Sequence, residues 1–156
     1  MIKEKLYRGE QVDQLSRRLN LSKCVVEDVL VNYTNYLRKR LNEGFTVKFL
    51  NVCYIRVDGK PEELHETLAY TASKIADKIG VSRNIAYRIL SSFEEYLIRD
   101  LKNFYSYNIR GLFSIKLQNM GKGYGYKLRL NKSYAYVGEN VYITAINSFK
   151  RKVEMP

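Results

Sequence analysis

Apolar and polar positions follow one plan twice along this chain. Val12, Leu15 and Leu19 are spaced as a short amphipathic helix. Asn20 follows, a residue that tolerates the left-handed conformation in which many helices end. Ser22 is then placed as an N-cap, its hydroxyl able to accept from a free backbone N–H. Val26, Val29, Leu30, Tyr33, Leu37 and Leu41 form one stripe of a longer helix. Arg38, Lys39 and Arg40 stand near its C-terminus, where the helix dipole favours cations, and Gly44 stops it. Residues 45–57, FTVKFLNVCYIRV, predict two short strands broken at Asn51.

The second pass begins at Leu68. Leu68, Ala72, Ile75, Ala76 and Ile79 predict a short helix ending at Gly80, and Ser82 is the next N-cap. Ile85, Ile89, Leu90, Phe93, Leu97 and Leu101 stripe a long helix, and residues 105–117 predict two strands with Gly111 opposite Asn51. Sliding residues 14–57 forward by 60 aligns them without a gap on 74–117, with six identities. Apolar meets apolar at 18 of the 44 positions, where 46% apolar content gives about nine by chance. The pairs Asn20/Gly80 and Asn51/Gly111 carry more weight than the aliphatic matches, because helical periodicity does not produce them. Each points to a backbone position that favours positive φ. A repeat of this length means two copies of one supersecondary unit.

The flanks do not repeat. DGKPEELH, 58–65, is a polar linker with the only internal proline, Pro61. MGKGYG (120–125) is a glycine-rich turn, and YGYKLRL alternates as a half-buried strand. SYAYV and NVYIT are further strand segments around Gly138, and AINSFKRKVE predicts a short basic helix. The expected organisation is a first unit at 1–57, a linker at 58–65 and a second unit at 66–156 with an arm and a terminal helix.

Composition narrows the function. In 156 residues, no apolar run approaches the roughly 18 needed to span a bilayer. The charged N-terminus, MIKEKLYRGEQ, lacks the apolar stretch of a secretory signal, so an intracellular site of synthesis and no membrane partner are expected. Cys24 and Cys53 fit neither a disulfide framework nor a zinc knuckle and are expected as buried apolar thiols. His65 is the single histidine and lies in the linker. With no activated nucleophile, acid–base pair or phosphate-binding glycine loop, no enzyme, metal or cofactor is expected. The net charge of +11 is uneven: residues 110–156 carry nine Lys/Arg against Glu139 and Glu154. A basic C-terminal third suits nucleic acid or an acidic protein partner.

A short helix, a turn opening with Leu-Ser-Lys, a long helix and a strand–turn–strand together resemble the HU and integration host factor family. The residues carrying the likeness are Leu19 to Lys23 with Val47 to Val57, and Ile79 to Arg83 with Tyr107 to Leu117. In that family a glycine commonly sits at the strand turn, a β-arm leaves the sheet and returns, and a short helix closes the chain, as Ala145 to Glu154 does here. The resemblance implies an α+β fold of tandem HU/integration host factor-like units in a single-chain pseudo-dimer, with a short C-terminal β-arm and a terminal helix. The family works as an intertwined dimer that inserts an arm-tip proline between base pairs. This chain departs from it: the first unit has no arm, the second at most a short one in 117–137, and neither tip has a proline.

The chain is also similar to proteins of crAss-like tailed phages that are read from sequence as integration host factor subunits and build rings below the portal. That resemblance implies a virion subunit of the neck or tail, assembled in the host cytoplasm. Its partners would be copies of itself and neighbouring portal or tail proteins. The 14 tyrosines, clustered at 105–142, suit such interfaces, and a ring needs two unlike faces that meet head to tail. The alternative is an architectural protein binding the duplex DNA backbone by charge alone. For either, the candidate contacts are Lys116, Lys122, Lys127, Arg129 and Lys132 on the arm-like segment, with Lys150, Arg151 and Lys152 on the last helix. A third expectation is a regulator that pairs with a host HU-type subunit, although a pseudo-dimer has already used its pairing surface.

Overall fold

In a computed structural model of the chain, the described residues are 3–6, 10–57, 66–109, 111–133 and 140–154. The predicted linker with Pro61 and His65, the segment at 134–137 and Gly138 lie outside them. The elements run β1 (Lys3–Leu6), α1 (Glu10–Leu19), α2 (Lys23–Asn42), β2 (Val47–Phe49), β3 (Cys53–Val57), α3 (Leu68–Ile79) and α4 (Arg83–Lys102). Then come β4 (Tyr105–Ile109), β5 (Phe113–Asn119), β6 (Tyr126–Lys132), β7 (Val141–Ala145) and α5 (Asn147–Glu154). The class is α+β.

The 60-residue offset persists in the backbone. Ser22 accepts from the Val25 N–H at 3.3 Å and Ser82 from the Ile85 N–H at 3.1 Å, so both long helices start with the same cap. Asn20 and Gly80 end the short helices at φ 54° and 77°. Val47, Lys48 and Phe49 pair with Ile55, Tyr54 and Cys53, while Tyr107, Asn108 and Ile109 pair with Ile115, Ser114 and Phe113. Each partner in the second set stands 60 residues after its counterpart. The buried stripes follow suit, from Val26/Ala86 and Val29/Ile89 to Leu41/Leu101. Gly44 and Phe104 also correspond, with φ 92° and 64°, so a bulky residue takes the left-handed position that glycine fills in the first copy.

One expected correspondence shifts. Gly111 has φ 83°, but in the first copy the positive φ falls on Leu50, at 48°, rather than on Asn51. The buried Tyr33 hydroxyl accepts from the Leu50 N–H at 2.7 Å, which compensates a conformation disfavoured for leucine. The N–H of Asn51 donates to Glu94 Oε1 on α4 at 2.8 Å. One of the two cysteines also differs from expectation. Cys53 is buried, with its thiol pushed up by loss of solvation, whereas Cys24 is exposed. Cys24 precedes Val26 by two positions, which sets it on the opposite side of α2 from the buried stripe.

The copies interlock through more than their helices. Two sheets form, in the orders β1-β4-β5-β6 and β2-β3-β7. β7 pairs antiparallel with β3 from Cys53↔Ala145 to Val57↔Val141. The sequence division at 66 groups this strand with the second unit, yet it completes the first copy's sheet. β7 continues through Ala145, and α5 begins at Asn147 rather than at the expected 145. β1, not foreseen, lies parallel to β4 from Lys3↔Tyr105 to Leu6↔Asn108. Phe49 of the first sheet meets Phe113 of the second edge-to-face, 5.1 Å between centroids, and Tyr33 flanks it at 5.5 Å. The strand turns rest on the opposite long helices: Asn51 on Glu94 of α4, and Gly111 against Arg38 of α2. A Cβ at 111 would stand 2.8 Å from Arg38 Cδ. Phe149 and Val153 of α5 enter the same core.

Gly111→Ala is therefore expected to cost more than about 1 kcal/mol, from its positive φ and the Arg38 stem. Asn51→Ala, at the matching position without positive φ, should cost less. Urea unfolding of both variants compares them; equal losses would show that the two turns are not distinguished in this way.

Candidate functional site

Strand periodicity sets the outer faces of both sheets. In β5, Phe113, Ile115 and Leu117 point into the core, which turns Ser114, Lys116 and Gln118 outward. In β6 the outward set is Lys127, Arg129 and Asn131. Register places Lys116 opposite Arg129, Gln118 opposite Lys127 and Ser114 opposite Asn131. β4 adds Ser106 and Asn108 to the same face. Ser106, Asn108, Ser114, Lys116, Asn131 and Lys132 line a shallow depression of about 360 Å³. At the far edge β1 brings Glu4 into register with Ser106.

The other sheet is built alike but decorated differently. Cys53, Ile55 and Val57 are buried, so Tyr54 and Arg56 face out beside Lys48 of β2 and Tyr142 and Thr144 of β7. Strands β2 to β7 together carry Lys48, Arg56, Lys116, Lys127, Arg129 and Lys132, and no aspartate or glutamate. The carboxylates of the described helices are mostly committed to neighbours. Arg18 meets Glu95 at 2.6 Å, Lys23 meets Asp13 at 3.0 Å and Arg83 meets Asp77 at 3.2 Å. Glu66 accepts from the Tyr36 hydroxyl at 2.6 Å; burial and this carboxylate push that phenol up to about 12. Strands β2 to β7 thus present cations and no carboxylate of their own.

The expected contact residues separate into groups. Lys116, Lys127 and Arg129 share the outer face, where Arg129 Nε donates to Gln118 Oε1 at 2.8 Å. Lys122 lies in the exposed hairpin turn. Lys132 stands at the edge of the depression and sets its ammonium 5.3 Å from the centroid of the Tyr142 ring. Lys150 joins Lys127 around a groove of about 430 Å³ with Met120, Tyr124, Tyr126 and Glu154. Tyr124 is 82% exposed at its rim. Arg151 and Lys152 are exposed on α5 and do not join the sheet face in one cluster. Glu154 Oε1 accepts from the Leu128 N–H at 2.8 Å and ties α5 to β6. Sequence reasoning passed over Lys48, Tyr54 and Arg56. The alternation of 45–57 carried the signal, because it places all three on the face away from Val47, Phe49, Cys53, Ile55 and Val57.

Among the described residues, no three of His, Cys, Asp and Glu gather as a metal site, and no helix is long and apolar enough to cross a membrane. Compared with models of known protein families and with curated proteins, the chain matches none.

Like charges directly opposite in a sheet cost stability, so the Lys116–Arg129 pair does not serve the fold. Lys116→Gln is expected to leave stability unchanged or raise it by up to about 0.5 kcal/mol at low salt, with the gain shrinking as salt screens the pair. Thermal midpoints across a salt series check this; a clear loss at low salt would mean that Lys116 has a structural task.

Proposed function

We propose that the chain is a structural subunit of a bacteriophage virion, building a ring of the neck or tail below the portal from an HU/integration host factor-like pseudo-dimer. The observation that carries this reading is that two copies with one backbone plan present unlike outer faces. The first sheet displays Tyr54, Arg56 and Tyr142, and the second displays Ser114, Lys116, Arg129 and Asn131. A self-complementary dimer has no use for such divergence, whereas a closed ring requires two different surfaces on each subunit.

The state of the arms supports the same reading. β3 ends at Val57, at the close of its pairing with β7. In the second copy, pairing beyond Ile115 continues in two strands only, from Lys116↔Arg129 to Asn119↔Tyr126, before the turn at 120–125. A projection of this length does not reach around a duplex, and its turn contains no proline. Among the described residues, the bending clamp of the resembled family therefore has no equivalent. Purified virions of the source phage are expected to contain the protein at a fixed stoichiometry by quantitative mass spectrometry. Its absence from virions would end the proposal.

The carboxylate-free strands β2 to β7 favour a second reading, a protein that contacts the duplex DNA backbone through charge. The two are compatible, since a ring around packaged DNA has an inner wall facing phosphates. On the second reading a gel shift detects duplex binding at about 50 mM salt, and log affinity falls steeply with log salt. Failure to shift duplex DNA would remove it and leave the ring reading untouched.

A further inference from the structure

The outer face of β2-β3-β7 combines cations with exposed aromatic rings. Tyr54 and Tyr142 are 46% and 47% exposed and belong to adjacent strands. Tyr54 stands opposite Thr144, and Arg56 stands opposite Tyr142, so the two rings are diagonal neighbours. Diagonal positions in an antiparallel pair lie about 7–8 Å apart. Lys48 pairs with Tyr54 from the other side. Lys132 reaches over the Tyr142 ring from the end of β6. The corresponding face of the other sheet has no aromatic: Asn108, Ser114 and Lys116 occupy the repeat positions of Lys48, Tyr54 and Arg56.

We propose that this face binds single-stranded nucleic acid, stacking neighbouring bases on Tyr54 and Tyr142 while Lys48, Arg56 and Lys132 meet the phosphates. The inference goes beyond the ring and duplex readings and does not depend on either. Positive charge on three strands that carry no carboxylate selects a polyanion, and paired phenol rings select one with accessible flat faces. The spacing selects a single strand. Stacked bases in a duplex repeat every 3.4 Å along each strand, about half the separation of the tyrosines. Only a strand whose bases are unstacked and spread can set successive bases on both rings. A strand of this kind gains stacking on two platforms and charge neutralisation along one sheet face. A duplex hides its base faces and would meet the cations alone.

The test is fluorescence anisotropy at about 150 mM salt with three probes: an oligothymidylate of about 12 nucleotides, an abasic strand of equal length and a duplex. The thymidylate is expected to bind at least about tenfold more tightly than the abasic strand. Tyr54→Ala and Tyr142→Ala should each weaken thymidylate binding at least about fivefold and leave abasic binding unchanged, while Tyr54→Phe and Tyr142→Phe retain it. Because both side chains are about half exposed, circular dichroism should show native folding in all four variants. Equal binding of thymidylate and abasic strands by the unmodified protein would overturn the proposal without any variant. So would alanine variants that fold and bind as before. Binding to none of the probes would overturn it too, as expected if this face is covered by another protein.

Discussion

Neither copy of the repeat can shield its apolar surface from water alone. The stripes of α2 and α4 leave Leu30, Tyr33, Leu90 and Phe93 with nowhere to go except a shared interior. Phe49 and Phe113 meet edge-to-face across that interior, one from each sheet. Around this contact the copies exchange supports: the turn at Asn51 hydrogen-bonds to Glu94, and the turn at Gly111 closes on Arg38. Arg18 of α1 reaches Glu95 of α4, and Arg99 of α4 reaches Gln14 of α1 at 2.9 Å. β7 crosses from the end of the chain to complete the sheet of its beginning. Mutual burial thus explains why one chain carries two units.

A shared core also decides where the charge goes. With the helical stripes turned inward, Asp13, Asp77 and Glu95 sit beside Lys23, Arg83 and Arg18 of neighbouring helices. Strands β2 to β7 contribute cations only, and period-two alternation pushes most of them to the outside. The result is that strands β2 to β7 carry cations alone, whereas the helices carry both signs. That asymmetry is compatible with a ring subunit lining a DNA channel, and it makes each outer sheet face a surface in its own right.

Much of this was legible in the chain. The two stripes, the serine caps, the stops at Asn20 and Gly80 and the strands on either side of residues 51 and 111 all follow from local chemistry. What escaped depends on distant partners. Leu50 and Phe104 adopt positive φ because the surrounding fold requires it there, and neither residue type announces this. The placement of β7 beside β3 and of β1 beside β4 involves separations that periodicity cannot report. Of the expected contact residues, Lys116, Lys127 and Arg129 come together because they alternate on paired strands. Arg151 and Lys152 stay apart because Phe149 and Val153 fix the face of α5. Tyr54 lies outside the tyrosine cluster at 105–142, and its diagonal placement beside Tyr142 appears only with the register.

The claim on which all of this rests is that the two copies are one cooperative unit. Native-state hydrogen exchange in increasing denaturant measures it directly. The amides that pair β2 with β3, β3 with β7 and β4 with β5 should converge on a single unfolding free energy, with no separate opening of either sheet. Two distinct isotherms, one for each copy of the repeat, would contradict it.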